Sequence, residues 1–533
     1  MLKKSFLICL VFYLLLSSIL FAQEVLKSVE EEYYDFLALQ GLVERPYLNY
    51  RTLSDSAWTI DENISHLWQE NNLGSKRYLF GDLYMKIYGP ELFMSINTAA
   101  PYGQNDGVLW QGRGFNALLK GGVRFEGYGL ELTFKPHIAF SQNANFDIIA
   151  SNYDSEYGYF WGYAHNIGVD APQRFGDKAF FDWDLGDSEI RYTWKTLTIG
   201  FGTQAIWLGP AYLNPILHSN NAPAYPKFDI GLRRQRVTLP LLGWYLGDVE
   251  ARFWLGQLSE SDYFDNDNSN NHTMIHGLAF AYAPSFLPGL TLFANRICLV
   301  PWEFENLKYI FPSSDNVIED QKASFGFSWM FPKVGFEVYG EIGIDDYVID
   351  GFVGYARHPF HTTVYTAGLK KALQIIPEKA IKGEIIFEFN WMQMTQTFYY
   401  KGHLAKYSFY MHHQLIHGYT NKGQWLGNGS SPIGNSQILK FILYYPKGNS
   451  QIILARNNPD INYVITHGGH DNNYWANFIV GIQSAYFIRP SLLLSGGLLY
   501  DFIINQYNRR EPVSNDNMLV HNFSLQFAIK WNL

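Results

Sequence analysis

The last eleven residues, Phe523 to Leu533, alternate without a break. Phe523, Leu525, Phe527, Ile529, Trp531 and Leu533 fall on one side, and Ser524, Gln526, Ala528, Lys530 and Asn532 on the other. A period of two is the signature of an extended strand with unlike faces. It recurs at Leu130, Leu132, Phe134, Ile138 and Phe140, opposite Glu131, Thr133, Lys135 and His137. It appears again at Ile385, Phe387, Phe389 and Trp391, opposite Glu384, Glu388 and Asn390. Such a pattern suits a soluble sandwich, with core against water, or a membrane barrel, with lipid against a wet lumen. Periodicity alone does not separate the two.

Composition and connection lengths do. Aromatic residues make up 17% of the 533, with 37 Tyr, 40 Phe and 15 Trp. Mean hydropathy nevertheless stays close to zero. A transmembrane β-barrel combines an apolar outer band and aromatic girdles with a polar interior, which accounts for both facts. The pattern predicts eighteen antiparallel strands: 84–97, 116–126, 130–141, 188–195, 197–206, 231–240, 249–258, 273–283, 290–300, 322–331, 334–343, 362–371, 382–396, 437–446, 450–456, 476–488, 491–504 and 519–531. Between them short turns (127–129, 195–196, 332–333, 446–449, 489–490) alternate with long connections such as 142–187, 207–230 and 397–436. Short periplasmic turns and long external loops are characteristic of bacterial outer-membrane barrels.

The chain divides into three predicted parts. Residues 1–22 read as a signal peptide, with Lys3 and Lys4 before an apolar run and Ala22 at the cut. Residues 23–80 read as a small periplasmic helical domain. Val25, Leu26, Val29, Tyr33, Phe36 and Leu37 recur at helical spacing, with Glu30, Glu31 and Glu32 on an exposed side, Gly41 as a stop, and one or two further short helices between Ser54 and Trp68. Residues 81–533 form the outer-membrane β-barrel. Of the two cysteines, Cys9 lies in the signal, so the mature chain keeps Cys298 alone and forms no internal disulfide. A net charge of −9 gives no reason to expect a nucleic acid partner.

Four segments carry a resemblance. They are "LALQGLVERPYLNYRTLS" (37–54), "NDGVLWQGRGFN" (105–116) with "LKGGVRF" and "AFSQN" after it, "WLGPAYLNPILHSNNAPAYP" (207–226), and "HGYTNKGQWLGNGSSPIG" (417–434). In this order they resemble the capsule-assembly (Wzi) family of outer-membrane proteins. The resemblance implies a barrel of this size, a periplasmic helical bundle at its mouth, and a role tethering capsular or exopolysaccharide at the cell surface. One departure is the final residue, Leu533, where such barrels commonly end on an aromatic.

Candidate polysaccharide contacts are Trp110, Arg113, Trp207, Asn220, Asn221 and Trp425. An indole offers a flat apolar face to the C–H groups of a sugar ring, a guanidinium presents a fork of donors, and an amide both donates and accepts. Each has a structural alternative: Trp110 as an inward plug, Arg113 paired to a lumen carboxylate, the asparagines satisfying backbone groups in a proline-rich loop. Glu337, Glu341, Glu384 and Glu388 are expected to form a solvated, ion-paired lumen face. Ser261 to His272 reads as a solvated loop tip without the spaced ligands of an EF-hand. His412, His413 and His417, and His467, His470 and Asp471, come with no hydrolase, metalloprotease or nucleotide motif. The expected protein is a non-enzymatic, monomeric lectin-like barrel in outer-membrane lipid, with no cofactor and no metal. A porin-like channel for small solutes is the alternative.

Overall fold

The structure is a computed structural model. It describes residues 18–19, 22–23 and 26–533 except 62, 75, 152–154, 161–167, 266, 311–317, 346–350, 395–407, 462–472 and 512. The expected signal segment therefore lies almost wholly outside the described residues.

Eighteen antiparallel strands close into a barrel. In chain order the first nine are Leu83–Asn97 (β1), Gly114–Gly127 (β2), Leu130–Phe134 with His137–Ser141 (β3), Phe180–Asp184 with Glu189–Trp194 (β4), Leu197–Gly202 (β5), Lys227–Thr238 (β6), Tyr245–Ser259 (β7), His272–Pro284 (β8) and Leu290–Pro301 (β9). The rest are Asp320–Phe331 (β10), Phe336–Asp345 (β11), Thr363–Ile376 (β12), Ile381–Trp391 (β13), Asn435–Tyr445 (β14), Gly448–Asn458 (β15), Ala476–Arg489 (β16), Leu492–Ile504 (β17) and Leu519–Trp531 (β18). Each pairs with the next, and β18 returns to β1 in the register Ser524↔Asn97 to Lys530↔Glu91. Closure leaves no unpaired edge, which is what a strand structure in hydrocarbon requires. Every predicted strand has its counterpart. Boundaries shift by a few residues, and β4 begins earlier because Phe180–Asp184 continues it beside β3.

Strand parity places the side chains as the alternation requires. Phe523, Leu525, Phe527 and Trp531 of β18 point outward and are exposed, while Asn522, Ser524 and Asn532 are buried inside. In β3, Leu130, Leu132, Phe134 and Ile138 face out and Glu131, Thr133 and Lys135 face in. All short connections, from 128–129 to 490–491, lie at one end of the barrel and all long ones at the other. These are called the turn end and the loop end below.

The N-terminal part differs from the expectation. Among its described residues a single α-helix, Val29–Leu39 (α1), is present. Ser28 caps it by accepting from the Glu31 N–H at 3.2 Å, and Gly41, at φ 72°, releases the chain after it. Between 54 and 68 the described residues make turns and a two-residue strand, Ala57–Trp58, and no further helix. Residues 26–74 also lack a core of their own. Tyr33, Phe36, Trp58 and Trp68 pack with Ile386, Ile442, Tyr444 and Phe487, which are inward-facing barrel residues. This segment is a plug inside the lumen at the turn end.

That placement overturns two electrostatic expectations. Glu30 and Glu31 are buried rather than exposed. Glu30 meets Lys530 at 2.9 Å and Glu31 meets Arg51 at 3.3 Å, while Glu32 accepts from the Tyr212 hydroxyl at 2.7 Å. The lumen glutamates are likewise dry. Glu337 takes both arms of the Arg45 guanidinium at 2.6 and 2.7 Å. Glu384 accepts from Tyr444 at 3.2 Å, and Glu341 is buried against Gly209 of the loop 203–226. Glu250 holds three successive N–H groups of the plug, those of Leu48, Asn49 and Tyr50, at 2.8, 3.0 and 2.6 Å. Glu388 does the same for the N–H groups of Tyr212, Leu213 and Asn214, at 2.5, 3.2 and 2.8 Å. A carboxylate facing a row of backbone donors satisfies groups that would otherwise be buried without partners.

Candidate polysaccharide site

Three long connections fold back into the barrel at the loop end and lace together. Residues 98–113 and 203–226 are joined by Asn105 N–H donating to Asn221 Oδ1 (3.0 Å) and Gly107 N–H donating to the Asn220 carbonyl (2.9 Å). Residues 203–226 and 408–434 are joined by Ser219 N–H to the Leu426 carbonyl (2.7 Å) and Asn221 Nδ2 to the Trp425 carbonyl (3.0 Å). Gln424 Nε2 closes the triangle on the Gly107 carbonyl at 3.0 Å. The plug supports them from below, since Tyr50 and Arg51 pair with Leu208 and Trp207 as a short antiparallel ladder.

Between these loops and the wall of β14 to β18 lies a cavity of about 530 Å³. That falls inside the roughly 300–1,000 Å³ range of small-molecule sites. Trp110, Asn221 and Trp425 all line it. Trp110 rests on Phe175 at a ring distance of 5.1 Å, and Trp425 lies 5.7 Å from Tyr410. Gly112 is what lets the Trp110 ring settle, because a Cβ there would meet the ring at 2.4 Å. Tyr102, Tyr159 and Tyr507 add further rings, and Gln104, Gln111, Gln173 and Ser430 add amide and hydroxyl groups.

The other three candidates sit elsewhere. Trp207 is fully buried, its indole N–H donating to the Ala211 carbonyl at 3.1 Å, with Arg51 and Lys27 5.1 and 5.5 Å from its ring. It serves as floor between loop and plug. Arg113 pairs with no carboxylate among the described residues. Its Nε donates to the Thr98 carbonyl at 3.0 Å and another nitrogen to the Asn145 carbonyl, so it staples two loops together. Asn220 lines a second, smaller cavity of about 250 Å³ between plug and loops. The two cavities share Phe93 and Asp106 in their walls. Burial lifts the Asp106 carboxyl to about 6, against the opposing pull of Gln111, whose Nε2 donates to it at 2.7 Å, and of Lys120.

Asp501, Asn477 and Trp475 also line the larger cavity and were not among the sequence candidates. Asn477 Nδ2 donates to Asp501 Oδ2 at 3.0 Å, while Asp501 Oδ1, Asn477 Oδ1 and the Trp475 indole N–H are buried without a partner among the described residues. Asp501 and Asn477 stand at inward positions of neighbouring strands, β17 and β16, where a polar residue is unremarkable. No sequence signal marks them.

The histidines are structural where they are described. His417 shares a proton with the Thr273 hydroxyl at 2.8 Å, and His412 Nδ1 accepts from the backbone of Gln414 and Leu415 at 3.2 and 3.0 Å. His467, His470 and Asp471 lie outside the described residues. Among the described residues no group of three or more His, Cys, Asp or Glu is placed to hold a metal ion.

Comparison with known proteins bears out the resemblance, with a family match over a stretch that holds two of the four segments. Residues 105–297 match the model of the family described as "Capsule assembly protein Wzi". Among solved structures, the fold is similar to Wzi of Escherichia coli, described as an outer membrane protein involved in group 1 capsule assembly and a carbohydrate-binding β-barrel. That likeness has a TM-score of 0.60 at 13% identity and covers 95% of this chain and 98% of that one. Two further structures superpose less closely. OccAB4 of Acinetobacter baumannii has a TM-score of 0.40 at 7% identity, covering 85% of this chain and 98% of its own. A Rhodopseudomonas blastica porin mutant has 0.32 at 11%, covering 84% and 99%. No curated protein matches the chain.

Proposed function

We propose, taking the capsule-assembly family match as the premise, that this chain is an outer-membrane barrel that holds capsular or exopolysaccharide at the cell surface without chemistry. The loop end faces outward, and the plug occupies the periplasmic mouth. The observation that carries the reading is the meeting of Trp110, Asn221 and Trp425, from three loops far apart in sequence, on one cavity at the loop end. Aromatic faces for the C–H side of sugar rings and amides for their hydroxyls are what a site needs to bind sugars without reacting with them. A long polymer needs only weak contact per unit, because tethered contacts raise the effective concentration of the next. The closed strand order supports a monomer, since no strand edge asks for a partner.

The test is retention of polysaccharide on intact cells against polymer shed into the medium. Trp110→Ala with Trp425→Ala is expected to shift polymer to the medium while total synthesis and barrel insertion stay unchanged. Stacking contacts of this kind are worth roughly 1 kcal/mol each. Normal retention in this variant and in cells lacking the protein altogether would overturn the reading. Trp207→Phe serves as a control that alters the floor but no cavity contact.

A further inference from the structure

The larger cavity is unequal in charge. Asp106 and Asp501 line it, and both lie close enough to Tyr102 to push its phenol upward together with burial. Among the described lining residues Lys440 is the one lysine or arginine, and its ammonium is turned away, donating to the Tyr212 hydroxyl beside Glu32 of α1. Arg509 lies 5.5 Å from the centroid of the Tyr507 ring and is not part of the described lining. The hydrogen-bonding groups are unequal as well. Asp501 is only 2% exposed, and its Oδ1 has no partner. Asn477 Oδ1 beside it has none either. The indole N–H of Trp475 is the unmatched donor, and its ring packs edge-on against Tyr507 at 5.2 Å. Two acceptors and a single donor stand next to an aromatic wall in a space with net negative charge.

We propose that Asp501, Asn477 and Trp475 form a subsite for an uncharged, hydroxyl-bearing sugar unit and that Asp501 excludes uronic acid units from it. The inference rests on the polysaccharide reading above and narrows its ligand class. Two adjacent hydroxyls of a pyranose donate to Asp501 Oδ1 and Asn477 Oδ1, a third accepts from the Trp475 N–H, and the ring's apolar face meets Tyr507. Each buried polar atom then gains the partner it lacks. A uronate carboxylate in the same place brings a second negative charge against Asp501, in a site of low dielectric with no cation turned toward it among the described residues, and two acceptors face each other with no proton between them. Any acidic units of the polymer are left to the outer loop surface.

The experiment is calorimetric titration of the full-length protein in detergent with cellotetraose and, separately, with tetragalacturonate. The wild type is expected to prefer the neutral probe by about tenfold or more, since juxtaposed like charges cost several kcal/mol. Asp501→Asn keeps the shape and one acceptor but removes the charge, and is expected to bring the two affinities within about threefold of each other. Asn477→Asp is expected to widen the gap. Equal binding of both probes by the wild type, or a preference unchanged in Asp501→Asn, overturns the proposal. Binding of neither probe overturns it too. In that last case normal retention of polymer on cells, lost in the Trp110/Trp425 variant, leaves the polysaccharide reading standing while this subsite falls.

Discussion

Arg45 shows what a single side chain contributes inside this lumen. Its guanidinium takes Glu337 in a two-pronged contact and reaches Asp35 at 2.7 Å, while Lys370 reaches Asp35 from the wall at 2.5 Å. Glu337 and Lys370 are buried, and Arg45 and Asp35 keep only 16% of their side-chain surface in contact with water. Cutting one member from such a group strands the charges that remain, at a cost of about 3–5 kcal/mol. Arg45→Met is therefore expected to lower the unfolding midpoint in detergent markedly, and adding Glu337→Gln to it is expected to restore much of the loss. If Arg45→Met unfolds like the wild type, the plug is not held by this contact. Parity of β11 showed in the sequence that Glu337 faces inward, yet its partner was not legible. Arg45 is nearly three hundred residues away, and nothing local couples the two. The same holds at the candidate site. Trp110, Asn221 and Trp425 were legible as loop aromatics and amides, whereas Asp501 and Asn477 were hidden among many inward polar residues. Trp207 and Arg113 carried the right chemistry for a sugar, but packing and two backbone carbonyls claim them.

Strands were the most legible elements, because each one reports its two environments at every second residue. The helix count was not, because the apolar residues between Ser54 and Trp68 contact a barrel wall and need no helical period to do so. The loop 98–113 lies between these cases. It has no regular structure, and its shape is set by Gly112, by Gly114 at φ 94°, and by contacts to two other loops. Asp106 at its tip holds a proton more tightly in the fold than an unfolded aspartate does, with the carboxyl lifted from 3.8 to about 6 by burial. Between those values the folded loop binds more protons than the unfolded one, so its stability is greatest below the lower value and falls as pH rises through about 6. The slope can reach about 1.4 kcal/mol per pH unit for one group. Protection of the 102–112 amides from hydrogen exchange, corrected for intrinsic rates, is expected to decline from pH 4 to pH 7. In Asp106→Asn it is expected to stay level. An identical decline in that variant would assign the effect to another group.

At the scale of the whole molecule the question is whether the lumen conducts. A barrel of this strand number leaves an aqueous channel when its interior is empty. Here residues 26–74 fill the turn end and the loops fill the loop end, and the two larger cavities left between them share Phe93 and Asp106 in their walls. Plug and loops also stabilise each other. Lys27 donates to the Tyr212 carbonyl at 2.7 Å, and the 50–51 and 207–208 pairing ties one to the other. Removing the plug therefore takes the floor from under the loops as well as clearing the mouth. In planar bilayers the intact protein is expected to pass little steady current. A variant lacking residues 26–74 but retaining residues 1–25 is expected to pass continuous current once inserted, because Glu250, Glu337 and Lys530 then meet water in an open lumen. Steady conductance of the intact protein would favour a solute channel over a polysaccharide holder. A silent deletion variant, shown by heat-modifiable migration to be folded, would mean that the loops alone close the barrel and that the plug has another task.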